Sequence, residues 1–287
     1  WANPKMIDEK TMMGNFFNKD EIISGLRLGK ANEQITQTNN RGDFKVKVQF
    51  NNLGLRDKRD LRLANEESYI VVGDSFTFGF GVEEDKRFSN LLLNNYGLDI
   101  YNLGIPNNLY GYEALIKYSY ILGAKSNNLI LVICMENDLF KNQLTNKLNN
   151  KNFRSYSSQI LKHPKKFLTN NSAIYFSLSS LIHKNQKLAD LFIRLGFIKP
   201  ILEDQNIANL EVLFDNDLNK TSKFIKRIST GFKSYIVIIP SRYNWHEDIL
   251  LRKKVRKEHD LFVNILKSKD LKVIDLRKSF ERNSKNP

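Results

Sequence analysis

A serine directly follows a short apolar segment that is typical of a strand buried in a parallel sheet. Tyr69–Val72 is rich in β-branched residues, and the chain then turns through Gly73, Asp74 and Ser75. Glycine permits a tight turn, and a short aspartate side chain can accept hydrogen bonds from nearby backbone N–H groups. The Ser75 hydroxyl is therefore expected to point out of the sheet edge beside backbone donors, where a nucleophile would stand.

Two further residues at predicted strand ends supply the hydrogen-bond donors that acyl transfer requires. Gly104 follows a predicted strand at 99–103, and without a side chain its N–H can approach a bound substrate closely. Asn137 follows a third predicted strand at 129–134, and its amide can donate to a developing oxyanion. Either residue alone is also an ordinary turn residue. The combination of three strand ends is what predicts an acyl-transfer site.

The elements that must position these residues alternate between strands and helices. Beyond the three strands, the hydrophobic pattern predicts elements at 85–97 (helix), 112–122 (helix), 235–239 (strand), 247–267 (helix) and 272–276 (strand). This alternation predicts an α/β fold, a flavodoxin-like three-layer α/β/α sandwich with a five-stranded, mostly parallel sheet. The carboxyl ends of parallel strands share one edge, so Ser75, Gly104 and Asn137 should meet there.

Two details of the helices are specific enough to test. Asp85 is predicted to be the N-cap of the first helix, and Gly97 is predicted to end it. In the long helix at 247–267 the predicted core positions are Leu250, Leu261, Phe262, Ile265 and Leu266.

The chain before the predicted strand at 69–72 contains one segment with a clear strand pattern. Residues 44–50 alternate, with the apolar side chains on one side, which predicts a half-buried strand at an edge or in a hairpin. Residues 1–43 are predicted to form short helices and loops. We therefore predict an N-terminal extension at 1–68 and an α/β domain at 69–287, with a helical insertion at about 141–230.

The motifs at the three strand ends resemble those of the SGNH (GDSL-type) hydrolases. The matching blocks are Gly73-Asp74-Ser75-Phe76, Asn102-Leu103-Gly104 and Glu136-Asn137-Asp138. Two further segments resemble one bacterial branch of the family: Asn52-Leu53-Gly54-Leu55-Arg56-Asp57 and Phe76-Thr77-Phe78-Gly79-Phe80-Gly81-Val82. The resemblance covers about 44–140 well, and it covers 235–280 by the order of elements only.

The resemblance implies the SGNH hydrolase fold and a role for each matching residue. Ser75 would be the nucleophile, and the oxyanion hole would consist of the Ser75 N–H, the Gly104 N–H and the Asn137 side chain. The implied function is that of a serine esterase or deacylase, or a closely related acyltransferase. Its substrate would be an acyl ester of a small molecule, carbohydrate or lipid, with neither a cofactor nor a metal.

The catalytic base is the part of the family pattern that this sequence lacks. The family places an Asp and a His close together after the last strand, whereas this sequence ends at Pro287, just past that strand. We expect the natural chain to continue for a few tens of residues that include the pair. His163 and His183 fall in the predicted insertion, and His259 falls among charges in a helix.

The fourth histidine lies at the correct edge of the predicted sheet. His246 follows the fourth strand and is the one alternative base, although such a residue is more often an ordinary loop histidine. The base is left unassigned. An SGNH-fold binding protein without the Asp-His pair therefore stands as the alternative to an enzyme.

Composition and charge separate the remaining classes of function. Hydrophobic residues make up 41% of the 287 positions, enough for a sizeable core. The net charge of +14 admits an acidic partner, but the basic residues are spread along the whole chain and no nucleic-acid-binding motif is present, so nucleic-acid binding ranks last. The sequence also does not match the dinucleotide-binding motif, because Glu84 occupies the position of the last glycine after Gly79 and Gly81.

The single cysteine and the apolar segments bear on the cellular compartment. Cys134 lies in an apolar run, so a buried thiol is expected and an intrachain disulfide is impossible. No segment approaches the ~20 apolar residues that span a bilayer, and no signal peptide is present. Because the chain begins with Trp1 rather than Met, we expect a trimmed start, which leaves an exported or anchored form open.

Overall fold

The computed structural model describes residues 6–7, 17–19, 23, 25–38, 44–140, 187, 191 and 217–283. The strands are β1 (Met6–Ile7), β2 (Phe17–Lys19), β3 (Arg27–Gly29), β4 (Gln34–Thr38), β5 (Lys45–Gln49), β6 (Tyr69–Val72), β7 (Ile100–Asn102), β8 (Asn128–Cys134), β9 (Lys233–Ile239) and β10 (Lys272–Asp275).

The helices fall between the strands of the main sheet and after them. They are α1 (Ser75–Phe78), α2 (Phe88–Tyr96), α3 (Leu109–Ile121), α4 (Leu218–Ile228), α5 (Ile249–Lys267) and α6 (Arg277–Asn283). Short 3-10 helices cover Leu61–Leu63, Glu84–Lys86 and Arg242–Trp245.

Five parallel strands form the main sheet, in the spatial order β10-β9-β8-β6-β7. Counted along the chain, this is the flavodoxin-like order, and the strand order reverses between β6 and β8. Val71 of β6 lies opposite both Asn102 of β7 and Ile130 of β8, so β6 and β7 end together and β8 continues to Cys134. The predicted fold class is confirmed, and the two strands that flank the switch point are those that precede Ser75 and Asn137.

Helices cover both faces of this sheet, which explains why its central strands β6 and β8 are mostly apolar. Ile70 and Val72 pack on the face that is covered by helices α3, α4 and α5, together with buried residues such as Leu115. Val71, between them, packs on the opposite face with Val132 and with the partly buried side chains of α2. The alternation of faces along β6 is the period of two that a strand imposes.

The segment before the main sheet contains strands, so the prediction of short helices and loops for residues 1–43 is wrong. Strands β1, β4 and β5 form a three-stranded sheet, and β2 pairs with β3 antiparallel. The pattern in β4 is hidden because Gln37 and Thr38, which are polar, are buried beside Ile35. The predicted strand at 44–50 is confirmed as β5, at the edge of its sheet with Val46 and Val48 buried. The domain boundary at residue 68 stays a prediction.

Two details of the helices differ from the sequence prediction. Asp85 lies inside a 3-10 helix, and α2 begins at Phe88 after Arg87 as the N-cap residue, so the predicted cap is wrong. In α5, Leu250 and Leu261 are 79% and 51% exposed. The buried stripe instead consists of Leu251, Val255, His259, Phe262, Val263 and Leu266. A histidine in the middle of this stripe interrupts the apolar pattern and shifts the predicted face.

Most of the predicted insertion lies outside the described residues. Of the range 141–230, the structure describes residues 187 and 191 and the chain from 217 onward, which includes α4. Among the helices of the described residues, none has the length and apolar character needed to cross a membrane.

Candidate active site

Ser75 is the first residue of α1, a helix of a single turn. Asp74 is its N-cap residue: the Asp74 Oδ1 atom accepts a hydrogen bond from the Phe76 N–H at 2.9 Å. This bond is the turn-holding contact that the sequence predicts for Asp74, and it satisfies a backbone donor that helix starts leave open. The Ser75 side chain is half-buried and makes no hydrogen bond with the residues that the structure describes.

Asn137 is joined to the turn that carries Ser75 by a hydrogen bond to Asp74. Its Nδ2 atom donates to Asp74 Oδ2 at 2.7 Å, which joins the chain after β8 to the chain after β6. An amide nitrogen carries two hydrogens, so this bond leaves one for a ligand. The structure thus brings Asn137 to the turn that carries Ser75, at the switch point of the sheet.

A buried carboxyl group fixes the turn that carries Asn137. Asp138 accepts hydrogen bonds at 2.7 Å from the Cys134 N–H and from the Tyr112 hydroxyl. Burial, with the nearby charge of Asp74, raises the pKa of Asp138 well above its usual value. Burial also raises the pKa of Asp74. The carboxyl groups of Asp74 and Asp138, which follow β6 and β8, are therefore both harder to ionise than a free aspartate.

Gly104 also lies against the Ser75 turn, but its N–H is bonded within the protein. It donates to Asn102 Oδ1 at 2.8 Å. A Cβ atom on Gly104 would lie 2.5 Å from the carbonyl carbon of Thr77 and 2.6 Å from the Phe78 nitrogen. Glycine is required here because the end of β7 packs directly on the backbone of α1.

The described histidines, His246 and His259, have other hydrogen-bond partners than Ser75. His246 is engaged in its own loop, where Nδ1 accepts a hydrogen bond from the Asp248 N–H at 3.0 Å. A neutral ring then carries its proton on Nε2, so neither nitrogen is a free acceptor. This geometry does not suit His246 as a base.

His259 lies in the middle of α5, as predicted, with Asp260, Asp275 and Arg277 nearby, and its side chain is fully buried. Its Nε2 atom lies 2.8 Å from Asp275 Oδ1 at the end of β10, and burial lowers the pKa of the ring. Two strands, β8 and β9, separate β10 from β6, a distance of about 14 Å across the sheet. His163 and His183 lie outside the described residues.

Three polar residues that support the site were missed at the sequence level. Asn102, Arg56 and Asp57 are all buried and hydrogen-bonded around the Ser75 turn. Arg56 and Asp57 stand in the segment that resembles one branch of the SGNH family, which was the available signal. In the described residues, no group of three His, Cys, Asp or Glu side chains is placed to hold a metal ion.

Comparisons with known proteins give matches among solved structures. No protein-family model matches the chain, and no curated protein matches it. One similar structure is LAE5, an α/β hydrolase from the metagenome of Lake Arreo, Spain, with 13% identity and a TM-score of 0.38 over 79% of this chain and 85% of that chain. Another is a catalytic variant of Axe2, an acetylxylan esterase from Geobacillus stearothermophilus, with 10% identity and a TM-score of 0.38 over 79% of this chain and 83% of that chain.

Proposed function

We propose that this protein is a serine esterase or deacylase of the SGNH type that acts through an acyl-enzyme on Ser75. The observation that carries the proposal is the meeting of two strand ends, where the Asn137 amide is held by Asp74, the neighbour of the nucleophile. Asp74 also caps the helix, so the Ser75 hydroxyl is not needed for capping. A serine whose hydroxyl is not needed for capping, and which lies near an amide donor, is suited to covalent catalysis.

In the proposed reaction, the Ser75 oxygen attacks the carbonyl carbon of an acyl ester and its proton passes to a base. The carbonyl oxygen becomes an oxyanion, and the Ser75 N–H and the Asn137 amide donate hydrogen bonds to it. The intermediate then collapses, the C–O bond to the alcohol breaks, and the alcohol leaves with the proton. Water attacks the acyl-enzyme, frees Ser75 and releases the acid; in an acyltransferase, a second alcohol would take the place of water.

The Ser75 N–H and the Asn137 amide each have a hydrogen available for a ligand, whereas the Gly104 N–H is already bonded. Ser75 is the first residue of α1, and such a position has no intrahelical acceptor for its N–H. The Gly104 N–H has one hydrogen, and that hydrogen is bonded to Asn102. Gly104 therefore joins the proposed oxyanion hole only if Asn102 yields this bond on substrate binding.

A non-catalytic binding protein is the second candidate, and the geometry of the histidines favours it. His246 has its acceptor nitrogen bonded in its own loop, and His259 is paired with Asp275 at the end of β10. A protein of this kind would bind an acylated small molecule, carbohydrate or lipid without turnover. The two candidates differ in whether Ser75 reacts.

A fluorophosphonate probe separates the two candidates, because it bonds covalently to an activated serine. We expect the wild type to be labelled once, on the tryptic peptide that contains Ser75, and Ser75→Ala to remain unlabelled. The matched control is Ser241→Ala, which removes a serine from another strand end and should label like the wild type. A folded wild type that does not react with the probe would favour the binding protein.

A further inference from the structure

The helix that carries Ser75 is too short to hold its own shape. An isolated helix needs roughly 12–15 residues to be even marginally stable in water, and α1 has 4. The last carbonyl groups of any helix also lack intrahelical partners. The orientation of Ser75 must therefore be set by groups from outside the turn.

Arg56 supplies the largest set of such contacts. Its guanidinium group donates from Nη1 to the carbonyl oxygens of Phe78 and Gly79, at 3.1 and 2.6 Å, and from Nη2 to that of Val82, at 2.6 Å. The side chain is 1% exposed. All three acceptors lie at the end of α1 or in the turn that follows it, so one rigid fork holds the carbonyl end of this helix.

Asp57 contacts the same helix indirectly, through Asn102. Asp57 Oδ2 accepts a hydrogen bond from the Asn102 N–H at 2.7 Å. The Asn102 side chain in turn donates from Nδ2 to the Thr77 carbonyl oxygen at 2.8 Å. Arg56 and Asp57 therefore fix adjacent carbonyl groups of the turn from two directions.

Burial of this arginine is unfavourable for the charge that it carries. Burial, with the nearby charge of Arg87, lowers the pKa of Arg56 to about 10, so the group stays charged near neutral pH. Its Nε atom has no hydrogen-bond partner among the described residues. A buried charge with an unmet donor adds little to stability compared with an apolar side chain of similar size. A gain in stability is therefore a poor explanation for Arg56.

We propose that Arg56 and Asp57 are positioning residues that set the orientation of the Ser75 nucleophile, an inference that rests on the proposed function. Neither side chain needs to touch a substrate. Arg56 acts on the carbonyl end of α1, and Asp57 acts on Thr77 through Asn102. Loss of either contact should therefore slow the covalent step and leave substrate binding unchanged.

The test compares Arg56→Lys with Arg62→Lys, because both keep the positive charge and lose the fork. Arg62 is exposed and pairs with Asp60 on the surface. The rate constant for fluorophosphonate labelling and the kcat and KM for a p-nitrophenyl ester are measured for each variant. We expect Arg56→Lys to lower kcat and the labelling rate by about 10²-fold with KM within twofold, and Arg62→Lys to match the wild type.

Two further measurements separate positioning from stability. The Tm of each variant is recorded, and Arg56→Ala is assayed with millimolar guanidinium and with millimolar ammonium; rescue of labelling by guanidinium alone is expected. Should Arg56→Lys fail to fold, Asp57→Asn tests the second contact, and a decrease of about tenfold in kcat at constant KM is expected.

The outcomes distinguish this inference from the proposed function. Wild-type labelling on Ser75 with an unchanged rate in both Arg56→Lys and Asp57→Asn would overturn the positioning role alone. A decrease that only follows the unfolded fraction would overturn it as well. A wild type that is not labelled at all would overturn the hydrolase proposal and this inference with it.

Discussion

A serine follows two strands of the main sheet within three residues, and the two serines have different hydrogen-bond partners. After β6, the N-cap of α1 is Asp74, and the Ser75 hydroxyl has no partner among the described residues. After β9, Ser241 itself is the N-cap: its Oγ atom accepts from the Tyr243 N–H at 3.3 Å. The Ser241 hydroxyl also lies 3.4 Å from Glu136 Oε2, and the residue is 7% exposed.

The difference lies in which residue satisfies the open backbone donors of the helix start. A serine that serves as N-cap has its oxygen committed to a backbone N–H. Placing an aspartate one position earlier moves that task away from the serine. A strand-end serine is therefore a candidate nucleophile where another side chain caps the helix, and a structural residue where it caps the helix itself.

The largest expected effect concerns the Asn137 amide, which donates a hydrogen bond to Asp74. Loss of one oxyanion donor typically lowers turnover by about 10²–10³-fold. Asn137→Ala should therefore lower kcat for a p-nitrophenyl ester by that factor with little change in Tm, since Asn137 is exposed. A large loss of stability with normal turnover would instead make Asn137 a structural turn residue.

The next effect tests the two caps directly against each other. Asp74→Ala and Ser241→Ala each remove a capping oxygen, and each should lower the free energy of unfolding by about 1 kcal/mol. Asp74→Ala should in addition lower kcat by about 10–10²-fold, because it releases the Asn137 amide. Denaturant titration and steady-state kinetics give the two quantities. Equal activity in both variants would contradict the distinction between the two serines.

The buried carboxyl group of Asp138, next to Asn137, should make stability depend on pH. Near Ser75, burial raises the pKa of Asp138, so the folded state binds a proton that the unfolded state has already released. Stability should therefore fall as the pH rises from about 4 toward neutrality, by at most about 1.4 kcal/mol per pH unit. The free energy of unfolding, measured from pH 4 to 7, should show this slope in the wild type and a smaller one in Asp138→Asn. Parallel curves would contradict a raised pKa.

The sequence predicts the fold and the strand-end residues because both depend on local patterns. Apolar β-branched runs predict the five strands, and parallel strands bring Ser75 and Asn137 to one edge. The missed features are pairs of polar residues that are buried together. His259 lies in a core stripe because Asp275, 16 positions later, accepts its hydrogen bond, and hydrophobic periodicity carries no sign of such a partner.

The same reason explains the strand that was missed near the N-terminus. Gln37 is buried in β4, where its Oε1 atom accepts a hydrogen bond from the Gly81 N–H at 2.5 Å. That partner lies in the loop after the Ser75 helix, far away in the sequence. A buried polar side chain is thus evident only when the element that satisfies it is already known.

The smallest expected effect concerns His259, and its dependence on pH has the opposite sign to that of Asp138. Burial lowers the pKa of His259 below the usual 6.5, although the nearby Asp275 opposes this shift. The unfolded state therefore takes up a proton as the pH falls through about 6.5, while the folded state does not. Stability should decrease between pH 7.5 and 5.5, by less than the limit of about 1.4 kcal/mol per pH unit that holds for a single group. Urea titrations of the wild type and of His259→Gln isolate the contribution of His259 to the pH dependence of stability, since glutamine does not titrate. A wild type that gains stability relative to His259→Gln on acidification would show that the carboxylate outweighs burial, and that the buried pair is an ion pair.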